Sequence, residues 1–199
     1  MKLLAVVALA CLILHVVKVD QACATGRSEP ETPRPAKTLD LSKFDQQVVK
    51  QFETAWHLSK GGTSDSEGVV LIYRMADGTY KGKFLGASNE YKQYTFQLDG
   101  AVIAVVHTHP NNCPPQPSID DMNVADKYGV LMFTITLRGM FVYDPFTKKI
   151  SRVMEGIDWL DAAKWTDKLA AKMAGVSGSF VFEAPANPVR PFPSLIGWL

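Results

Sequence analysis

Two histidines one residue apart, His107 and His109, stand at the end of an unbroken apolar run from Ala101 to Val106, in the order His107-Thr108-His109-Pro110. In an extended segment residues i and i+2 point to the same side, so both imidazoles can reach one ion while Thr108 faces away. After a Pro-rich loop comes Pro117-Ser118-Ile119-Asp120-Asp121, where Ser118 and Asp121 have the S-x-x-D spacing of a helix start. Ser118 then caps a helix, and Asp121 lies in its first turn, facing back toward the strand end. Two imidazoles and one carboxylate leave a tetrahedral Zn²⁺ with its fourth position free for water, the open arrangement of catalytic zinc. Zinc lowers the pKa of bound water to about 7, and hydrolysis of an amide also needs a base to pass that water's proton to the leaving nitrogen. Glu67, just before Gly68 at the start of the first predicted strand, is the best placed upstream acid. Glu90, in a turn between predicted strands, is the fallback.

The same residues admit plainer chemistry. Asp120 and Asp121 are favourable charges at a helix N-terminus with or without zinc. Cys113 could be a nucleophile activated by His107 or His109, or an extra metal ligand, although a Pro-rich loop is a poor place to fix a nucleophile. His57 has no other ligand type at helical spacing and reads as a surface or packing residue.

The elements that position these groups follow from hydrophobic period. Leu41, Phe44, Val48, Val49, Phe52 and Trp56 fall at helical spacing, with Ser42 and Asp45 resembling a capping box and Gly61-Gly62 ending the helix. From Gly68 the pattern changes to β-branched and aromatic runs over 69–75, 79–85 and 91–98, separated by Asp77-Gly78 and by Gly86 to Asn89, which predicts an antiparallel meander. Ala101 to Val106 has the continuous apolar character of a strand buried on both faces, and it delivers His107 at its end. Ser118 to Tyr128 reads as a helix, Val130 to Leu137 and Met140 to Tyr143 as a hairpin about Arg138-Gly139, and Ile157 to Met173 as a further helix. Strands flanked by helices on this scale predict an α+β domain with a mixed or antiparallel sheet.

The 199 residues, 47% of them hydrophobic, suffice for one ordinary domain plus appendages. The apolar stretch Leu3 to Val17, after Met1-Lys2 and before Ala22-Cys23-Ala24, reads as a signal peptide over 1–24, cut after Ala24. It is short for a membrane span, which takes about 20 residues, so no stable span is expected once it is removed. An uncleaved anchor and a lipoprotein processed at Cys11 are the alternative readings. Residues 25–39 read as a Pro-rich linker, 40–178 as the domain, and 179–199, with four prolines, as a tail laid over the domain surface or a partner-binding peptide. Without Lys2, Lys18 and Asp20, the 21 basic and 20 acidic residues become 19 of each. A chain of zero net charge without a basic tract is not expected to bind nucleic acid. Only Cys113 survives the cut, so the exported chain can form no internal disulfide and depends on packing or a metal.

The residues around His107 resemble the JAMM metallopeptidases, the catalytic branch of the MPN (JAB) domain family. That pattern is an upstream Glu on an early strand, His-Ser/Thr-His-Pro at a strand end, and Ser-x-x-Asp opening a helix. The similarity covers about residues 65 to 145, including Tyr143-Asp144-Pro145, and looks closest to bacterial members in secreted and toxin-associated proteins. It implies an MPN/JAB-like fold with a cytidine-deaminase-like layered architecture. It further implies His107, His109 and Asp121 as zinc ligands, Glu67 as general acid/base, and Ser118 as a residue that helps hold the tetrahedral oxyanion. One spacing departs from the family: eight residues, Pro110 to Pro117, separate His109 from Ser118 where seven are usual. Strict counting places the ligand at Asp120 and puts Pro117, which donates no hydrogen bond, in the serine position. A loop longer by one residue keeps Asp121 instead. The expected activity is that of a secreted or periplasmic zinc hydrolase cutting a peptide or isopeptide bond in a peptide or protein substrate. The alternatives are a catalytically silent MPN-like binding module, whose mark would be missing ligands, and a secreted effector or toxin domain with the same chemistry.

Overall fold

The computed structural model describes residues 37–88, 93–96, 98–99, 101–177, 180–182 and 195–198, all within the compact unit Arg34–Leu199. The predicted signal peptide, the linker up to residue 36, Glu90 and most of the C-terminal tail lie outside the described residues.

The centre of the fold is a six-stranded mixed sheet. Its strands are β2 (Gly68–Arg74), β3 (Tyr80–Ala87), β5 (Val102–Thr108), β6 (Leu131–Thr136), β7 (Gly139–Asp144) and β8 (Lys149–Glu155), in the order β3-β2-β5-β6-β7-β8. All neighbours are antiparallel except β5 and β6, which run parallel and are joined through the helix α2 (Ile119–Tyr128). A parallel pair cannot be closed by a tight turn, and α2 supplies the crossover. Every residue of β5 and of β6 is buried, as expected of central strands covered on both faces.

Alternation along these strands sorts their side chains into two cores. Val70, Ile72, Ile103, Val106, Phe133 and Ile135 face one side, where they meet Val48, Val49, Phe52 and Trp56 of the helix α1 (Gln46–Leu58) and Met173 of α3 (Asp167–Ser177). Val69, Leu71, Val102, Val105 and Met132 face the other side and meet Ala125 of α2. The molecule is therefore α+β, with helices on both faces of a mixed sheet. That layering follows from strand and helix patterning and is not in itself particular to MPN domains.

Several elements differ from expectation, each for a local reason. The segment from Leu41 is a single 3-10 turn, Leu41–Lys43, capped by Asp40, and α1 starts only after Asp45. Ser42 is not the cap of α1, because its hydroxyl donates to Asp40 Oδ1 at 2.6 Å, whereas Asp45 Oδ1 accepts from Val48 N at 2.9 Å. The predicted meander stops at the β2–β3 hairpin. β4 (Gln93–Phe96) does not add to the outer edge of β3 but pairs with β10 (Leu195–Trp198) in a separate two-stranded ribbon. The stretch from Ile157 is not one helix. Asp161 caps a short 3-10 turn, Ala162–Lys164, and the indole of Trp165 donates to Phe44 O at 2.7 Å in an extended conformation, so α3 begins at Asp167. Within the predicted tail and linker, β9 (Phe180–Phe182) pairs antiparallel with β1 (Lys37–Leu39).

Candidate metal centre

The register of the sheet fixes where β5 ends. Val69 of β2 lies opposite His107 on one side and Thr134 of β6 lies opposite it on the other. Beyond the strand, His109 N donates to Ile135 O at 3.0 Å, which carries the pairing one step further. Thr108 points away from both histidines, and its Oγ1 accepts from Gly68 N at 2.9 Å. His107 and His109 therefore share the α2 face of the sheet, with their Nε2 atoms 3.0 Å apart.

The helix brings the third group. Ser118 and Asp121 form a reciprocal capping box: Asp121 N donates to Ser118 Oγ at 3.1 Å, and Ser118 N donates to Asp121 Oδ2 at 2.6 Å. That geometry turns the Asp121 carboxylate back over the N-terminus and toward the sheet. Its Oδ2 lies 3.4 Å from His107 Nε2 and 3.6 Å from His109 Nε2, with all three side chains buried. Asp120, the rival position, is exposed and stays outside the cluster. In the loop between His109 and Ser118, Cys113 N donates to Pro110 O at 3.0 Å, and Pro117 is buried.

These three atoms suit a small divalent cation. Zinc bonds of about 2.0–2.1 Å at tetrahedral angles separate ligand atoms by about 3.4 Å, and the triangle here has edges of 3.0, 3.4 and 3.6 Å. The ring of His109 is oriented for the task, because Nδ1 lies 2.8 Å from Pro114 O and must donate to it, leaving the Nε2 lone pair directed at the cluster. Asp121 Oδ1 and His107 Nδ1 are buried without a hydrogen-bond partner among the described residues, and a bound cation would ease the cost of burying the Asp121 carboxylate. Among the described residues, this is the one group of three or more His, Cys, Asp or Glu side chains arranged to hold a metal.

Charges in the cluster are strongly coupled. Burial disfavours ionisation of Asp121, but the adjacent His107 and His109 overcome it and hold the carboxyl well below the usual carboxylate range. Burial likewise disfavours a charged His107, yet the carboxylates of Asp121 and then Glu67 overcome it and raise the imidazole above its ordinary value.

Glu67 is thus within electrostatic reach of His107, and it is only 2% exposed. It immediately precedes β2, where its backbone N donates to Ser88 Oγ and its carbonyl accepts from Ser88 N. Ser118, half-buried, uses a lone pair on the Asp121 amide and keeps its hydroxyl proton available to donate. Cys113 is half-buried, with its thiol 3.6 Å from Asn112 Oδ1, and is not in the cluster. His57 is at the surface beside Glu53. Sequence reasoning missed the groups that anchor the loop: Asn111, whose backbone N donates to Gly62 O at 2.7 Å, the Pro114 carbonyl, and Thr134. Only the Gly61-Gly62 pair carries a signal in the sequence, that of a helix stop. No protein-family model matches the chain, and no curated protein matches it significantly.

Proposed function

We propose that the chain is a zinc-dependent hydrolase of the JAMM type, cutting a peptide or isopeptide bond in an exported compartment. The observation that carries this reading is the convergence of His107 Nε2, His109 Nε2 and Asp121 Oδ2 from a strand end and a helix start into one buried triangle. Zinc held there supplies Lewis acidity, which lowers the pKa of water to about 7 and polarises a carbonyl. Glu67 takes a proton from the attacking water on its carboxylate and delivers it to the leaving nitrogen. Its burial within electrostatic reach of His107 keeps that proton out of bulk solvent. The Ser118 hydroxyl donates to the oxygen on which negative charge develops, and its position is fixed by the capping box. Asp121 has no part in proton transfer, because its carboxylate is a ligand of the ion in this reading.

The test is zinc content and amide hydrolysis of the purified mature protein. Near-stoichiometric zinc is expected, and Glu67→Gln should keep the zinc while losing hydrolysis by about 100-fold or more, the scale of general acid–base catalysis. Asp121→Asn should lose zinc, and Asp120→Asn should not. Hydrolysis that persists after zinc is stripped overturns the reading.

A further inference from the structure

The strand β6 carries one polar residue at the level of the cluster. Thr134 is fully buried between Phe133 and Ile135 and lies opposite His107 in the parallel register. A hydroxyl buried in such a strand is destabilising unless it is hydrogen-bonded. Here it donates to Pro115 O at 2.6 Å. The preceding carbonyl, that of Pro114, is the acceptor for His109 Nδ1.

The two carbonyls are joined by an unusually stiff piece of chain. Between them lie the Pro114–Pro115 peptide bond, the φ angle of Pro115 and its ψ angle. The peptide bond is planar and the pyrrolidine ring locks φ, so ψ is the one soft torsion. Fixing the Pro115 carbonyl therefore leaves the Pro114 carbonyl a single rotation, about ψ, in which to turn. Pro114 is itself exposed, so packing does little to hold it. At the other end of the loop, Asn111 is tied to Gly61 and Gly62 through its side chain and backbone.

We propose that Thr134 is a positioning residue of the metal centre: through Pro115 it aims the Pro114 carbonyl at His109 Nδ1–H and so keeps His109 Nε2 as the atom that faces the ion. The assignment rests on the proposed metal site for its effect on zinc, but not for its effect on the His109 ring. Outer partners of ligating histidines are worth about 10–100-fold in metal affinity. A backbone carbonyl cannot be removed by mutation, which leaves the hydroxyl that aims it as the adjustable part.

The experiment compares wild type, Thr134→Val, Thr134→Ser and Pro115→Gly by chelator competition for zinc and, on the zinc-free proteins, by long-range proton–nitrogen NMR of the imidazoles. Thr134→Val removes the hydroxyl at nearly constant shape, and Pro115→Gly leaves the core untouched while freeing the torsion between the two carbonyls. Both should weaken zinc binding about 10–100-fold and turn His109 from a single Nδ1–H tautomer into a mixture. Thr134→Ser should restore both properties. A His109 tautomer unchanged in Thr134→Val and in Pro115→Gly overturns the proposal, as does a Thr134→Ser protein that behaves like Thr134→Val. Should Thr134→Val fail to fold, Pro115→Gly decides alone. Wild-type protein that takes up no zinc removes the metal reading, and the tautomer then decides the role of Thr134 separately.

Discussion

Asp121 and His107 are buried groups whose charges depend on one another, and that dependence sets how the site responds to pH. A ligating imidazole must be neutral, and the carboxylates of Asp121 and Glu67 raise the His107 pKa above its ordinary value of about 6.5. Zinc therefore competes with a proton on His107 at every pH below that raised value. Asp121, held far below the usual carboxylate range, is ionised throughout and contributes no slope. The apparent zinc affinity is expected to climb as pH rises, by about tenfold per unit while one proton is displaced, and to level off once pH passes the His107 value. Titration calorimetry in buffers of different ionisation enthalpy, from pH 6 to 9, reads both the slope and the proton released. An affinity that is flat from pH 6 upward would overturn the raised pKa of His107.

At the scale of elements, the site depends on how closely β2 approaches α1. A Cβ built on Gly68 falls 2.6 Å from Ala55 O and 2.9 Å from Ala55 Cα, so only glycine lets the strand start there. Gly68 also donates its N–H to Thr108 and follows Glu67 directly. Gly68→Ala should destabilise the fold by about 1–3 kcal/mol, the usual cost of overpacking. It should also shift Glu67 and so reduce hydrolysis more than zinc binding, a split that a denaturant midpoint, zinc content and kcat together resolve. The parts of this arrangement legible in sequence are those with a local signature. The apolar run of β5 announced a doubly buried strand, the S-x-x-D spacing announced the α2 cap, and Asp77-Gly78 announced the β2–β3 hairpin. What stayed hidden depends on contacts distant in sequence. β8 alternates weakly and leaves most of its side chains exposed or half-exposed, so it lacked a burial period. Trp159 and Leu160 are core residues, but they reach the core from a turn rather than the expected helix. Thr134 acquires its role only from the register that sets β6 beside β5, and the Pro114 carbonyl has no side-chain signature at all.

Across the whole molecule, two cores on opposite faces of one sheet share the work of stability, and the candidate site sits where β5 and α2 meet on the smaller of them. Cys113 is a free thiol, so among the described residues no disulfide adds to the packing of the two cores. The C-terminal strand β10 stands apart from this scheme: it pairs with β4, and neither belongs to the six-stranded sheet. A two-stranded ribbon of four residues a side is marginal by itself, so its local stability should be far below that of the central strands. Ending the chain after Phe182 removes β10 while retaining β9 and its pairing with β1. Amide exchange in Gln93–Phe96 should then accelerate to near the unprotected rate, while β2, β5 and β6 keep the protection of the full-length protein. Because β10 runs close to α2, zinc affinity is the sensitive second measurement. An unchanged zinc constant in the truncated protein means that the capping box alone holds Asp121, and a loss of protection throughout the sheet would show that the tail is integral to the fold.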